Sequence, residues 1–212
     1  MILAMMSTAA ALLVPVVRSA GSYRSPQAGE ASPGTVQTPT GPLTPLDRDF
    51  VKRVRLAGLW ELPAGRMALD KGGTPEVKTA GEHLISGHTD LDRAVLEAAA
   101  TLNLGVPEEP SDQQKAWLKQ LDAAQGEEFD RLFANILRNA HGQVFAVVAQ
   151  VRAGTQNSTV RNLATMTNST VLDHITVLED TGLVNYGALS GPPGGSSSPS
   201  ARTAPAPAGT QR

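Results

Sequence analysis

An all-α fold, a ferritin-like four-helix bundle with a short crossover helix between the second and third long helices, is the architecture this sequence predicts. Three observations predict it. Four long runs carry apolar residues at spacings of three and four. The links between the first and second runs, and between the third and fourth, are short enough to make those neighbours antiparallel. Hydrophobic residues make up 41% of the 212 but aromatics only 4%, which suits a helical core built from small side chains.

The first helix opens at Thr44, an N-cap followed by Pro45 in the first turn and the acidic Asp47. Its seam is Phe50, Val54, Ala57, Glu61, Ala64 and Ala68, so one carboxylate interrupts an apolar stripe. Pro63 lies inside the run and predicts a kink or a lost hydrogen bond about one turn before it. Gly72 and Gly73 end the helix. Thr74, Pro75 and Glu76 repeat the start signal, and the second seam runs Val77, Ala80, Leu84, His88, Leu91, Val95, Ala98, Leu102 before Gly105 and Pro107 stop it.

Between residues 106 and 125 lies a short amphipathic piece capped by Ser111 and carrying Trp117, Leu118 and Leu121, expected to pack over the bundle as a crossover. Gly126 breaks it. The third long helix is predicted over residues 127–153, with Phe129, Leu132, Phe133, Ile136, Leu137, Ala140, Val144, Val147, Val148 and Val151 on its apolar face and His141 among them. Gly154 closes it. Asn157 or Ser158 caps the fourth, whose seam of Leu163, Thr167, Thr170, His174 and Val177, flanked by Val171 and Leu178, is the most polar of the four; Gly182 ends it. No period of 20 to 50 residues recurs, which excludes a helical solenoid.

The flanks are of another kind. Residues 2–17 carry no charge, a run short for a spanning helix and near the upper end of signal-peptide length, followed by Arg18 and the small residues Ser19, Ala20 and Gly21. No Lys or Arg follows Met1, so the usual positive region is missing and the true start stays open. The expected organisation is a signal peptide or membrane anchor over residues 1–20, a disordered linker over 21–43, the bundle over 44–186 and a disordered tail over 187–212. Export would place the domain outside the cytoplasm, secreted or anchored to the cytoplasmic membrane. With no cysteine, disulfides, thiolate metal sites, cysteine nucleophiles and lipoprotein anchors are all excluded.

The net charge of -2 hides a split between a bundle region with fourteen Lys and Arg against nineteen Asp and Glu and flanks that are slightly basic. A domain of that sign has no electrostatic footprint for nucleic acid. The local cluster Arg48, Lys52, Arg53 and Arg55 reads as a solvated helix face. The chain contains no phosphate-binding glycine loop, nucleophile elbow or His-Glu-x-x-His motif, and no catalytic residue is assigned.

Each long helix carries one ionisable residue on its apolar seam, near its middle. Glu61 and His88 both lie roughly 16 to 20 Å from their shared turn at about 1.5 Å rise per residue, and His141 and His174 lie about 20 and 24 Å from theirs. Antiparallel pairing therefore brings Glu61, His88, His141 and His174 towards one level. The fourth histidine, His83, is off the seam, and Asp92, Asp130 and Glu179 read as surface residues. Two readings of the cluster stand. One is a buried polar or ionic network, since a lone buried carboxylate costs several kcal/mol and an imidazole is the available partner. The other is a metal site of three imidazole nitrogens and one carboxylate oxygen, suited to Zn, Fe or Cu. A di-iron centre is disfavoured, because the two Glu-x-x-His pairs and the bridging carboxylates it needs are missing.

The motifs LWELPAG at 59–65, Met67 to Lys71 leading into Thr-Pro-Glu-Val-Lys, His88-Thr-Asp-Leu-Asp, Phe129-Asp-Arg, Ala140-His141 and Val171-Leu-Asp-His174 occur in one order across nearly all of residues 50–182. In that order they resemble the bacterial domain of unknown function 4142. The resemblance implies an exported or membrane-anchored ferritin-like bundle, of a kind often described as outer-membrane proteins and with no demonstrated activity. It matches the family's recurrent Glu of the first helix to Glu61 and its recurrent histidines to His88, His141 and His174. The acidic pair that often precedes the second-helix histidine is here Ser86-Gly87, and Pro63 is unusual in the first helix; both departures speak against oxidation of iron at a dinuclear centre.

The expected function is thus a cell-envelope bundle with a non-enzymatic binding or structural role. The alternative is a metal-binding protein of metal handling or oxidative stress protection. Expected associations are the membrane, if the N-terminal segment is uncleaved, and a second copy of the chain; the ligand is left open.

Overall fold

The computed structural model describes residues 33–189. The N-terminal apolar run and nearly all of the predicted tail lie outside them. Among the described residues, no helix is long and apolar enough to cross a membrane.

The chain enters through a hairpin, β1 (Val36–Thr38) and β2 (Gly41–Leu43), paired antiparallel with Val36 opposite Leu43. This departs from the expected linker over residues 21–43. No apolar periodicity marks the segment because strands of three residues are too short to show one, and their support comes from more than 110 residues further along the chain. The Asn157 side chain donates to Thr38 Oγ1 (3.0 Å) and to the Gly41 carbonyl (2.9 Å), and Ser158 N donates to the Thr40 carbonyl (2.8 Å). Leu43 is then buried in the core. Gly41, at φ 112°, would drive a Cβ to within 2.6 Å of the Gln156 carbonyl, so only glycine fits there.

Four long helices follow with one short one between them: α1 (Pro45–Lys71), α2 (Pro75–Thr101), α3 (Asp112–Ala123), α4 (Gly126–Gly154) and α5 (Ser158–Asp180), with a final turn α6 (Tyr186–Leu189). The starts are those the sequence predicts. Thr44 and Asp47 form a full capping box, as do Ser111 and Gln114, while Thr74 and Asn157 each accept a hydrogen bond from the backbone three residues on. Helical structure continues through Pro63 without interruption.

Two apolar clusters give the helix directions. One gathers Phe50 and Val51 from the start of α1, Val95 and Ala98 from the end of α2, Val148 and Val151 from the end of α4, and Val160 and Leu163 from the start of α5. The other gathers Ala68, Val77, Phe129 and Leu178 from the opposite ends. Therefore α2 and α4 run parallel, and residues 102–125 must travel the length of the molecule between them. On that path Arg55 pairs with Asp92 and donates to the Pro107 carbonyl, Lys71 donates to the Asp122 carbonyl, and Trp117 of α3 packs on Trp60 of α1 with ring centroids 5.0 Å apart.

Several details differ from expectation. Asp130, read as a surface residue, is 4% exposed and accepts the Gly73 N–H at 3.0 Å, so it closes the α1–α2 turn from α4. A carboxylate on the edge of an apolar face looks like a solvated one until the facing turn is known. In α5 the buried stripe passes through Val171 and Leu178, with Thr170 and Val177 only half-buried beside it. The basic cluster on α1 is partly consumed internally: Arg48 holds the Gly34 and Leu43 carbonyls, Arg53 pairs with Asp49, and Arg55 pairs with Asp92.

Candidate metal centre

The two apolar clusters meet at a polar layer. Glu61, His88, His141 and His174, one from each long helix, are buried there at 2%, 3%, 2% and 0% exposure, so water cannot satisfy them. Each offers one ligand atom, and those atoms all lie within 4.8 Å of one another. The level-matching expected from helix rise is thus met.

The carboxylate is the hub. Glu61 Oε2 lies 2.7 Å from His88 Nε2 and 3.0 Å from His141 Nε2, and His141 Nε2 lies 3.0 Å from His174 Nδ1. The outward nitrogens are engaged elsewhere. His141 Nδ1 donates to the Leu137 carbonyl at 2.8 Å, and His174 Nε2 donates to the His83 carbonyl at 3.0 Å. Because a carbonyl oxygen can only accept, both protons are assigned by the geometry. His88 has no such support: its Nδ1 is buried without a hydrogen-bond partner.

Proton affinities follow from this arrangement. Burial alone would raise the Glu61 carboxyl, but the charges and hydrogen bonds of His141 and His88 outweigh it and hold the group far below the usual carboxylate range. Burial opposes a charge on His141 as well, yet the Glu61 carboxylate beside it raises its affinity for a proton. His174 is pushed down to about 3 by burial and by the neighbouring imidazoles. In the metal-free protein one proton, on His141 Nε2, therefore sits between Glu61 Oε2 and His174 Nδ1.

One residue essential to this geometry escaped sequence reasoning. A Cβ on Gly87 would fall 2.5 Å from His174 Nε2 and 2.8 Å from Thr170 Cγ2, so α2 and α5 approach closely enough for His174 to reach the His83 carbonyl only because position 87 has no side chain. The signal available was a glycine inside a strong helical pattern, which usually marks a close approach. His83 itself lies outside the cluster as expected, its ring paired with Asp173 at 2.7 Å, and it contributes through its carbonyl. Asp92 and Glu179 are half-buried partners of Arg55 and Arg138.

Glu61 also borders a cavity of about 300 Å³ between α1, α4 and the start of α3, walled by Trp60, Trp117 and Val144, with Gln113 and Gln143 among its polar lining. On another side an open groove lined by Glu82, His83, Gly87 and Asp173 lies between α2 and α5.

No curated protein and no solved structure matches the chain. A family model, the domain of unknown function DUF4142, matches residues 32–180, a span that takes in the hairpin, all four long helices and every residue of the Glu/His cluster. The chain belongs to the DUF4142 family.

Proposed function

We propose that this protein is an extracytoplasmic, ferritin-like bundle that binds one transition-metal ion through Glu61, His88, His141 and His174. The observation that carries the reading is the pair of main-chain carbonyls, Leu137 and His83, that take the outer N–H groups of His141 and His174. With those protons fixed outside, a metal ion that displaces the one inner proton would meet the lone pairs of His141 Nε2 and His174 Nδ1 beside Glu61 Oε2. Imidazole nitrogen with a single carboxylate suits Zn(II), Fe(II) or Cu(II), and one carboxylate is too few for a dinuclear centre.

The ligands come from four different helices, so the ion ties the bundle together, and binding free energy becomes folding free energy. With all four bound the coordination is closed, which fits a protein that holds its metal in handling or protection and does not hydrolyse a substrate. Support for export is the uncharged run at residues 2–17 with its small-residue exit.

A second reading has its own observation. Separations of 2.7 and 3.0 Å are hydrogen-bond distances, which favour a proton-bridged network as a resting state of the cluster. Elemental analysis of protein purified without an affinity tag, followed by Zn(II) titration of chelator-treated protein, separates the two. The expected result is one equivalent of metal and a melting temperature that rises with loading. No metal as purified and none after titration leaves the network as the cluster's role. Export is tested by fusing residues 1–43 to a reporter active only outside the cytoplasm, where a silent fusion would count against it.

A further inference from the structure

Resting on the metal reading, we infer that His88 is an exchangeable arm of the centre, and that a small electron-pair donor entering through the cavity beside Glu61 can take its coordination position. Two independent observations point there. First, His88 alone of the three imidazoles lacks an outer anchor, its Nδ1 buried and unpartnered while His141 and His174 are each fixed to a carbonyl. When Nε2 gives up its proton to bind a metal, the proton the ring keeps moves to Nδ1 and becomes a buried N–H with no acceptor. The two anchored rings incur no such cost, because their outer protons are already in place. A ligand without its second contact is held more loosely in orientation as well as in energy.

Second, a cavity of about 300 Å³ has Glu61 among its lining residues, so only the thickness of this one buried side chain separates the centre from it, and its volume admits a molecule of a few heavy atoms. Its polar lining includes the Gln113 and Gln143 amides and the Ser111 hydroxyl, groups that can donate to a small anion or a neutral heterocycle. The structure thus contains two imidazoles anchored from outside, His141 and His174, and one, His88, that is not. The set without His88 is two histidines and a carboxylate, which in metal proteins leaves positions open to outside ligands.

The test uses the full chain loaded with Co(II), whose visible spectrum reports coordination, with imidazole as the added donor. His88→Ala should still bind one equivalent, about tenfold to a hundredfold more weakly than the unaltered chain. Added imidazole should restore both the affinity and the four-coordinate spectrum. His141→Ala and His174→Ala should lose Co(II), unrestored by imidazole, with helix content by circular dichroism confirming that they fold. If His88→Ala loses the metal as completely as they do, or if imidazole restores His141→Ala equally well, the exchangeable-arm inference is overturned while the metal centre stands. If the unaltered chain binds no Co(II), the metal reading itself fails and this inference with it. The route is tested by adding Gln143→Trp, which fills the cavity from an exposed wall position, to His88→Ala. Imidazole rescue should slow by about tenfold or more, corresponding to about 1.4 kcal/mol on the barrier. An unchanged rate excludes the cavity as the way in.

Discussion

His141 and His174, on α4 and α5, each reach outside the cluster to a main-chain carbonyl, whereas Glu61 and His88, on α1 and α2, reach only into the cluster, and His88 leaves one ring nitrogen unpaired. The two halves are equally buried. What differs is the source of orientation. A backbone carbonyl within a helix is placed by the fold, so rings tied to it are aimed before any cation arrives. The α1–α2 half is aimed by its own charge pairing, and the His141 imidazole completes it by reaching across to Glu61 Oε2. His141 is thus the one group that belongs to both halves.

The largest expected effect comes from removing that bridge. His141→Leu strands an ionised, nearly inaccessible carboxylate with one partner, and breaking a buried pair in this way costs about 3–5 kcal/mol. His88→Leu leaves the charged His141 beside Glu61, so its cost should be smaller, about 1–3 kcal/mol. Replacing Glu61 and His88 together by Leu should cost less than His141→Leu alone, because no ionised carboxylate remains to be buried. Urea unfolding of the metal-free variants measures all three. Equal losses for His141→Leu and His88→Leu would erase the distinction between bridge and arm.

Next in size is Gly87→Ala, which acts on the anchored half without altering any donor. Its Cβ would overlap His174 Nε2 at 2.5 Å and push the ring from the His83 carbonyl. Overpacking of this kind costs about 1–3 kcal/mol, and the variant should also lose most of its metal affinity. Ser86→Ala, on the neighbouring exposed position, should stay within about 0.5 kcal/mol. A Gly87→Ala protein that binds metal as well as the unaltered chain would show that the carbonyl anchor does not matter.

These particular residues also mark where sequence reasoning reaches and where it stops. The helices and most of their caps were legible because Thr44, Thr74 and Ser111 act on backbone three residues away, and the seam periodicity survives any tertiary arrangement. The cluster was legible for the same reason, since helix rise alone sets the depth of Glu61 and His88 from their common turn. What could not be read depends on which helices face each other and how closely. Gly87 makes sense only once α5 lies against it, Asp130 only once the α1–α2 turn lies beneath it, and the hairpin only once Asn157 is brought to Thr38. Rotational position within a seam is likewise a packing outcome, which is why the α5 stripe falls on Val171 and Leu178.

The pH dependence of the metal-free protein separates the members of the cluster by sign. His174 has its proton affinity pushed down to about 3 from 6.5, so below pH 6.5 the unfolded chain takes a proton that the folded chain refuses. Stability from this group is present above 6.5 and is lost as pH falls towards 3, at up to about 1.4 kcal/mol per pH unit. Glu61 is depressed from 4.5, so its contribution is present above 4.5 and adds to the same acid loss only at lower pH. His141 is raised above 6.5, and its contribution is complete below that value and disappears as pH rises through its folded pKa. Stability should therefore peak near pH 6.5, with His174 governing the window from 6.5 to 4.5 and His141 the alkaline side. Urea midpoints across that range for the unaltered chain and His174→Leu test the assignment, since solvent-exposed carboxylates titrate alike in both and cancel. Loss of the slope between pH 6.5 and 4.5, with the alkaline decline kept, is the expected result. A slope that persists in His174→Leu would mean that the acid sensitivity originates outside the cluster, and that the anchored ring is not held neutral by its burial.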